Sequence, residues 1–202
     1  MRALVFFSLV LLAGPALAVD TGPASQDFKR WHAACRPDGY CLASTGAQAG
    51  GADGAEWRYA LNIGRPARQT YWEISIRLTR AEADLTRDVV ASVGRDRVTF
   101  SGPDQIAPYG NIDRFYLLGS GAQALLDKLV HGASLDIGFT DRSGAPVSTS
   151  FSLAGLSGAL IWIDTRQHRL GSERVAEPPP YGLVRADLPG GLWMAPAIAA
   201  QP

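Results

Sequence analysis

The fold is decided between residues 57 and 78, where the chain reads WRYALNIGRPARQTYWEISIRL. Large apolar side chains occupy every second position in both halves of this stretch: Trp57, Tyr59, Leu61 and Ile63 in the first, and Trp72, Ile74, Ile76 and Leu78 in the second. A period of two residues over this length is typical of half-buried β-strands. Because Arg65-Pro66-Ala67-Arg68 separates the halves, the sequence predicts a β-hairpin.

Most of the remaining chain shows the same alternation. Further strands are predicted at residues 89–93, 97–101, 115–118, 134–139 and 147–153. Two segments instead have apolar residues spaced as on one face of a helix: Ala122, Leu125, Leu126 and Leu129, then Leu156, Ala159, Leu160 and Ile163. The strands come mostly as hairpins and do not alternate with helices. We therefore expect a mainly β (α+β) fold, an antiparallel sandwich or partly closed barrel with two packed helices.

The N-terminus has the features of a secretory signal peptide. Arg2 precedes an apolar run over residues 4–13, and Ala16-Leu17-Ala18 provides a small-residue cleavage site. The run is too short to span a bilayer, which needs about 20 residues. We expect Sec export to a bacterial periplasm, with residues 1–18 removed and no integral membrane span.

The rest divides into three parts by composition. Residues 19–27 are expected to form a flexible leader, residues 28–176 a single globular β-rich domain, and residues 177–202 a tail rich in Pro, Ala and Gly. The full chain has 19 basic and 19 acidic residues. With no basic excess to neutralise phosphates, nucleic acid is excluded as an expected partner.

Two cysteines, Cys35 and Cys41, flank the turn-forming sequence Pro37-Asp38-Gly39. A turn there brings the thiols together, and an exported compartment is oxidising, so we expect a disulfide. The alternative is a metal site that uses His32 with both cysteines. A structural zinc takes four ligands and the sequence offers no evident fourth, so no metal or cofactor is predicted.

One segment resembles a nucleophile elbow. Gly155-Leu-Ser-Gly-Ala159 follows a predicted strand and opens a predicted helix, and Asp164 and His168 come after it. At a rise of 1.5 Å per residue, however, Ser157 and His168 lie about 16 Å apart along one helix. A catalytic triad needs contact at about 3 Å, so we predict no catalytic residue and no enzymatic activity.

Two other sets of residues are candidates for a site. Asp164 and His168 are one helical turn apart, and could form a pH-sensitive pair because histidine titrates near pH 6.5. Trp57, Trp72 and Tyr109 could line an aromatic binding face for sugars. Solvated surface charges and ordinary sheet packing are the competing interpretations of these two sets.

Two parts of the chain resemble an exported proteobacterial family. One is FSLAGLSGALIWID at residues 151–164 with QHRLG at 167–171, and the other is the spacing of Trp31, Cys35, Cys41 and Ala43. The chain is similar to the invasion-associated locus B family over roughly residues 28–176. The resemblance implies a periplasmic, disulfide-bearing, non-enzymatic domain, and it carries over no catalytic residue.

The leading hypothesis is a periplasmic interaction module that binds an envelope protein or glycan through its sheet face and loops. One alternative is an envelope hydrolase acting on glycan, which a concave pocket with two facing carboxylates would favour. The other is a small-ligand carrier, which a closed apolar pocket would favour.

Overall fold

A computed structural model of the protein describes residues 24–47, 58–67, 69–78, 83–109, 111–170 and 175–176. The expected signal peptide, the leader up to residue 23, the tail at 177–202 and Trp57 lie outside these residues. The strands are β1 Ser25–Phe28, β2 Trp31–Cys35, β3 Cys41–Ala47, β4 Tyr59–Arg65, β5 Tyr71–Leu78, β6 Val89–Val93, β7 Asp96–Phe100, β8 Ile106–Tyr109, β9 Asn111–Leu117, β10 Ser134–Thr140, β11 Pro146–Ser152 and β12 Val175–Ala176. The helices are α1 Gly119–Leu129 and α2 Leu156–Arg166.

These strands form two sheets. The larger has the order β1-β2-β3-β4-β5-β9-β8, with β12 paired in parallel to β5. The smaller has the order β11-β10-β6-β7, and every pair in it is antiparallel. The sheets are not closed into a barrel, so the sandwich prediction is confirmed and the partly closed barrel is not.

The predicted hairpin is β4–β5, at the centre of the larger sheet. Leu61 pairs with Ile76 and Ile63 with Ile74, and all four side chains are buried in the core. The structure differs from the expected half-buried pattern, because Glu73 and other polar residues on the opposite face are also buried. The larger sheet is therefore covered on both faces at its centre.

The smaller sheet faces the core with one side and solvent with the other. Leu135, Ile137 and Phe139 of β10 point inward and are buried, whereas Asp136 between them is exposed. This is the alternation expected of an antiparallel sheet with one solvated face.

Both helices pack through the apolar residues that predicted them. Leu125 and Leu126 of α1 are buried, and this helix lies against β6, β7 and β12. Leu160 and Ile163 of α2 are buried, and this helix lies against β1, β2 and β3. Neither helix, nor any other in the described part of the chain, is long and apolar enough to cross a membrane.

Regular structure begins earlier than the sequence indicated. Residues 25–27, expected in the flexible leader, form β1 and pair with β2. The start of α2 depends on the same segment, because Gly155 lies very close to Phe28. A Cβ atom added to Gly155 would come within 1.9 Å of the carbonyl oxygen of Phe28. Gly155 has φ +103°, a conformation that favours glycine. Glycine thus lets α2 begin directly against β1.

Candidate functional site

The structure confirms the predicted disulfide. Cys35 and Cys41 lie directly opposite each other at the end of the β2–β3 hairpin and are bonded. Their bond contradicts a zinc site that uses both as thiolates. His32 instead places Nδ1 2.6 Å from Oδ1 of Asp27. Within the described ranges, no cluster of three or more His, Cys, Asp or Glu is placed to hold a metal ion.

Ser157 stands at the start of α2, but its hydroxyl is not paired with a histidine. Its Oγ donates a hydrogen bond of 3.0 Å to the carbonyl oxygen of Val130, which follows α1. His168 lies beyond the other end of α2 with φ +55°. Ser157 therefore joins the two helices, and nothing in this contact activates it as a nucleophile.

The structure does not place the candidate pair of Asp164 and His168 together at the surface. Asp164 is buried, with a side chain only 3% exposed, and it forms an ion pair with Arg65 of β4. Arg65 is fully buried, and its guanidinium lies 5.0 Å from the ring centre of Trp72. The periodicity of α2 placed Asp164 correctly on the helix but gave no sign of a buried cation facing it. This ion pair fixes α2 to the larger sheet.

The proposed aromatic face is not assembled by the residues that can be placed. Trp72 is fully buried in the core beneath Arg65, so its ring cannot stack on an external sugar. Tyr109 ends β8, and Trp57 lies outside the described residues. Packing is therefore the correct interpretation of Trp72.

A buried polar cluster lies on the face of the larger sheet that points away from the smaller one. The Tyr40 hydroxyl donates a 3.1 Å hydrogen bond to Oε2 of Glu73. Tyr40 lies across Gly64, where an added Cβ would come within 2.0 Å of the hydroxyl oxygen. Burial first, and then the negative charge of Glu73 and the nearby Tyr116, raise the pKa of Tyr40 well above its usual value; Arg114 opposes them. The phenol is thus held protonated as a hydrogen-bond donor.

A shallow open groove of about 450 Å³ runs over the exposed face of the smaller sheet. Asp136, Ser92 and Arg97 are neighbours across three strands, because Asp136 pairs with Ser92 and Ser92 with Arg97. The two charged residues are exposed and flank the half-buried serine. Ser148 and Gly138 also line the groove, together with apolar residues such as Val90 and Val147. The surface offers a carboxylate, hydroxyls and a guanidinium to a polar partner.

Two carboxylates line this groove, but they do not face each other. Asp136 is in register with Ser92, whereas Asp88 precedes Ser92 by four residues. At about 3.4 Å per residue, this separates them by about 14 Å along the strand. Acid–base pairs that cleave glycosidic bonds are about 5–9.5 Å apart. Asp88 also accepts a 2.7 Å hydrogen bond from the Ser101 hydroxyl.

A second open cleft, of about 700 Å³, lies where α1 ends near the β6–β7 turn. Val93, Ala124 and His131 are among the residues that line it. Lys128 Nζ closes one side through a 2.9 Å ion pair with Oδ2 of Asp96. The cleft is open to solvent, unlike the closed apolar pocket that a ligand carrier would need.

Sequence reasoning missed both the groove and the buried polar cluster. Asp136 and Arg97 are 39 positions apart in the sequence, and only the pairing of β10, β6 and β7 brings them together. A signal was present in β10, where Asp136 and Gly138 alternate with Leu135 and Ile137. This pattern indicated a solvated face but not what lay beside it.

Comparisons with known proteins give a family and a fold. A family model described as "Protein of unknown function (DUF1176)" matches residues 25–176. The crystal structure of invasion associated protein B from Bartonella henselae is similar, with a TM-score of 0.53 and 14% sequence identity over 71% of this chain and 98% of that one. At this identity the likeness concerns the fold alone. No curated protein sequence matches the chain.

Proposed function

The chain belongs to the DUF1176 family of proteins of unknown function, and we propose that it is an exported, non-catalytic binding protein of the bacterial cell envelope. The observation that carries this proposal is the polar groove on the smaller sheet. Asp136 and Arg97 are exposed there on a sheet whose other face is packed into the core. Polar side chains fixed on a rigid sheet suit recognition, because little entropy is lost when they bind.

Export is supported by two independent features. The first is the N-terminal sequence, with Arg2, the apolar run at 4–13 and the cleavage site ending at Ala18. The second is the bond between Cys35 and Cys41, since disulfides persist in oxidising compartments and are rare in the cytosol. Both features favour the periplasm.

A non-catalytic role is supported by the geometry of the candidate groups. The Ser157 hydroxyl donates to a main-chain carbonyl, and the carboxylates of Asp88 and Asp136 are too far apart along the strand for glycoside hydrolysis. The groove is also shallow, whereas active sites are usually deep clefts that exclude water. An envelope protein fits such an open surface better than a small substrate does.

Export is tested by expressing the full chain in a bacterium and measuring the mass of the product in each cell fraction. We expect a periplasmic protein that begins at Val19 and whose two cysteines resist alkylation until they are reduced. A cytosolic product that retains residues 1–18, or freely alkylated cysteines, would contradict export.

Binding is tested by placing a photo-crosslinking amino acid at Asp136 and irradiating intact cells. The matched control is Asp104, an exposed aspartate before β8, outside the residues that line the groove. We expect an adduct of defined mass from position 136 and none from position 104. Equal adducts from both positions, or none from either, would refute the groove as a binding surface. An adduct that glycan-degrading enzymes remove would identify glycan as the partner.

A further inference from the structure

Strand β11, Pro146–Ser152, forms one edge of the smaller sheet. Among the described strands only β10 pairs with it. Ser148 and Ser150 on this strand are exposed. Ser148 also lines the groove of the proposed binding function, but this inference concerns the backbone groups at the edge of the strand.

The direction of the backbone groups of β11 follows from its hydrogen bonds. Leu153 N donates to Ala133 O at 2.9 Å and continues the ladder with β10. Bonding alternates in an antiparallel ladder, so the odd-numbered residues of β11 bond to β10 and the N–H and C=O of Ser148 and Ser150 point away from it. Trp31 confirms this direction, because its Nε1 donates to the outward carbonyl of Ser152 at 3.0 Å.

The other sheet edges carry features that prevent strand addition. Edge strands are usually protected by short length, by charged side chains or by proline. Strand β1 has four residues including Asp27, β8 has four including Pro108, and β7 carries Asp96 and Arg97. Strand β11 has seven residues, none of them charged, and its only proline is its first residue. Trp31 covers its end at Ser152, but between Val147 and Phe151 the strand carries none of these protecting features.

The sequence of β11, PVSTSFS, is nearly symmetric about Thr149. Ser148 and Ser150 flank the threonine, and the apolar Val147 and Phe151 flank the serines. We propose that two copies of this chain associate through β11, antiparallel about a two-fold axis at Thr149. Their two four-stranded sheets then form one continuous sheet.

This register matches donors with acceptors. Ser148 of each copy lies opposite Ser150 of the other, and each of these pairs exchanges two backbone hydrogen bonds. At the ends Pro146, which has no N–H, lies opposite Ser152, whose carbonyl already accepts from Trp31. The missing N–H of Pro146 therefore leaves no carbonyl without a hydrogen-bond donor. With no charge on the strand, no like charges oppose one another across the axis.

The test is the mass of the mature chain, residues 19–202, by sedimentation equilibrium. We expect twice the mass of one chain. S148K/S150K places like charges opposite each other at both serine pairs, and it should raise the dissociation constant about tenfold or more. S148E/S150K is the matched control, because it puts a glutamate opposite a lysine at the same positions and should retain the dimer. All these side chains are exposed, so the melting temperature of each variant should stay near that of the wild type.

Three other results of this experiment would overturn the proposed dimer. A wild-type chain with the mass of one copy shows that the edge does not self-associate, and leaves an extended peptide as its partner. If both variants remain dimeric, the copies meet through another surface. If both dissociate, the register about Thr149 is wrong.

Hydrogen exchange gives a second readout. The amide protons of Ser148 and Ser150 are free of the β10 ladder, so they should exchange rapidly in dilute protein and slow as the concentration rises. The amide of Thr149 bonds to β10 and should be protected at every concentration. Concentration-independent exchange at Ser148 and Ser150 would contradict the dimer.

Discussion

At the scale of single residues, two buried polar contacts decide the chemistry of the larger sheet. Tyr40 with Glu73 occupies one face of β5, and Arg65 with Asp164 occupies the other. A buried polar group is tolerated when it is paired, and removing one partner is expensive because the other stays desolvated. Stability should therefore depend on these pairs more than on exposed ones such as Asp27 with His32.

Tyr40→Phe removes the hydroxyl that donates to Glu73, and should cost about 1–3 kcal/mol of unfolding free energy at neutral pH. The folded-state pKa of Tyr40 is well above its usual value, mainly because of burial and then Glu73. Above about pH 10 the unfolded chain releases a phenol proton that the folded chain keeps, so the wild type loses stability as pH rises. Urea unfolding between neutral pH and pH values above 10 should show that the difference in unfolding free energy between variant and wild type becomes smaller. If the two unfolding free energies change with pH by the same amount, the raised pKa of Tyr40 is contradicted.

Asp164→Ala removes the carboxylate paired with a fully buried guanidinium, and should cost about 3–5 kcal/mol. The double variant Arg65→Met with Asp164→Leu removes both charges and should recover much of that loss. Unfolding in urea measures both. Equal destabilisation of the single and double variants would show that packing, and not the unpaired charge, is the cause.

At the scale of elements, the strands with large alternating side chains could be predicted and those with small ones could not. The β4–β5 hairpin was evident from Trp72, Ile74 and Ile76. Strand β3 was missed although it alternates equally well, because its buried residues Cys41 and Ala43 are small and have weak strand preferences. Period two over small residues was the signal that could have found it.

Helix α2 offers adjacent buried and exposed positions on which to test its docking. Leu160 is fully buried and Ile161 is 50% exposed. Leu160→Ala should cost about 2–5 kcal/mol because it leaves a cavity, whereas Ile161→Ala should cost well under half as much. Thermal and urea unfolding compare the two. Similar losses would mean that the helix is docked through a different face.

At the scale of the whole molecule, the candidate sites could not be predicted because strand order creates them. The sequence indicates which residues of a strand share a face, but not which strands are neighbours. The groove needs β10 beside β6, and the Arg65–Asp164 pair needs α2 to return across 99 positions to β4. The local disulfide could be predicted, because its partners are six positions apart across a turn.

The tail at residues 177–202 is expected to be dispensable for folding. The family match and the last described strand both end at Ala176, and Pro178, Pro179 and Pro180 cannot donate backbone hydrogen bonds. A chain of residues 19–176 should therefore melt within a few degrees of one of residues 19–202. A fall of about ten degrees or more would mean that the tail packs on the domain.

The pKa of Tyr40 would then locate the contact of the tail. If this pKa moves back toward the ordinary value of a tyrosine in the shorter chain, the tail buries the face of the larger sheet on which Tyr40 lies.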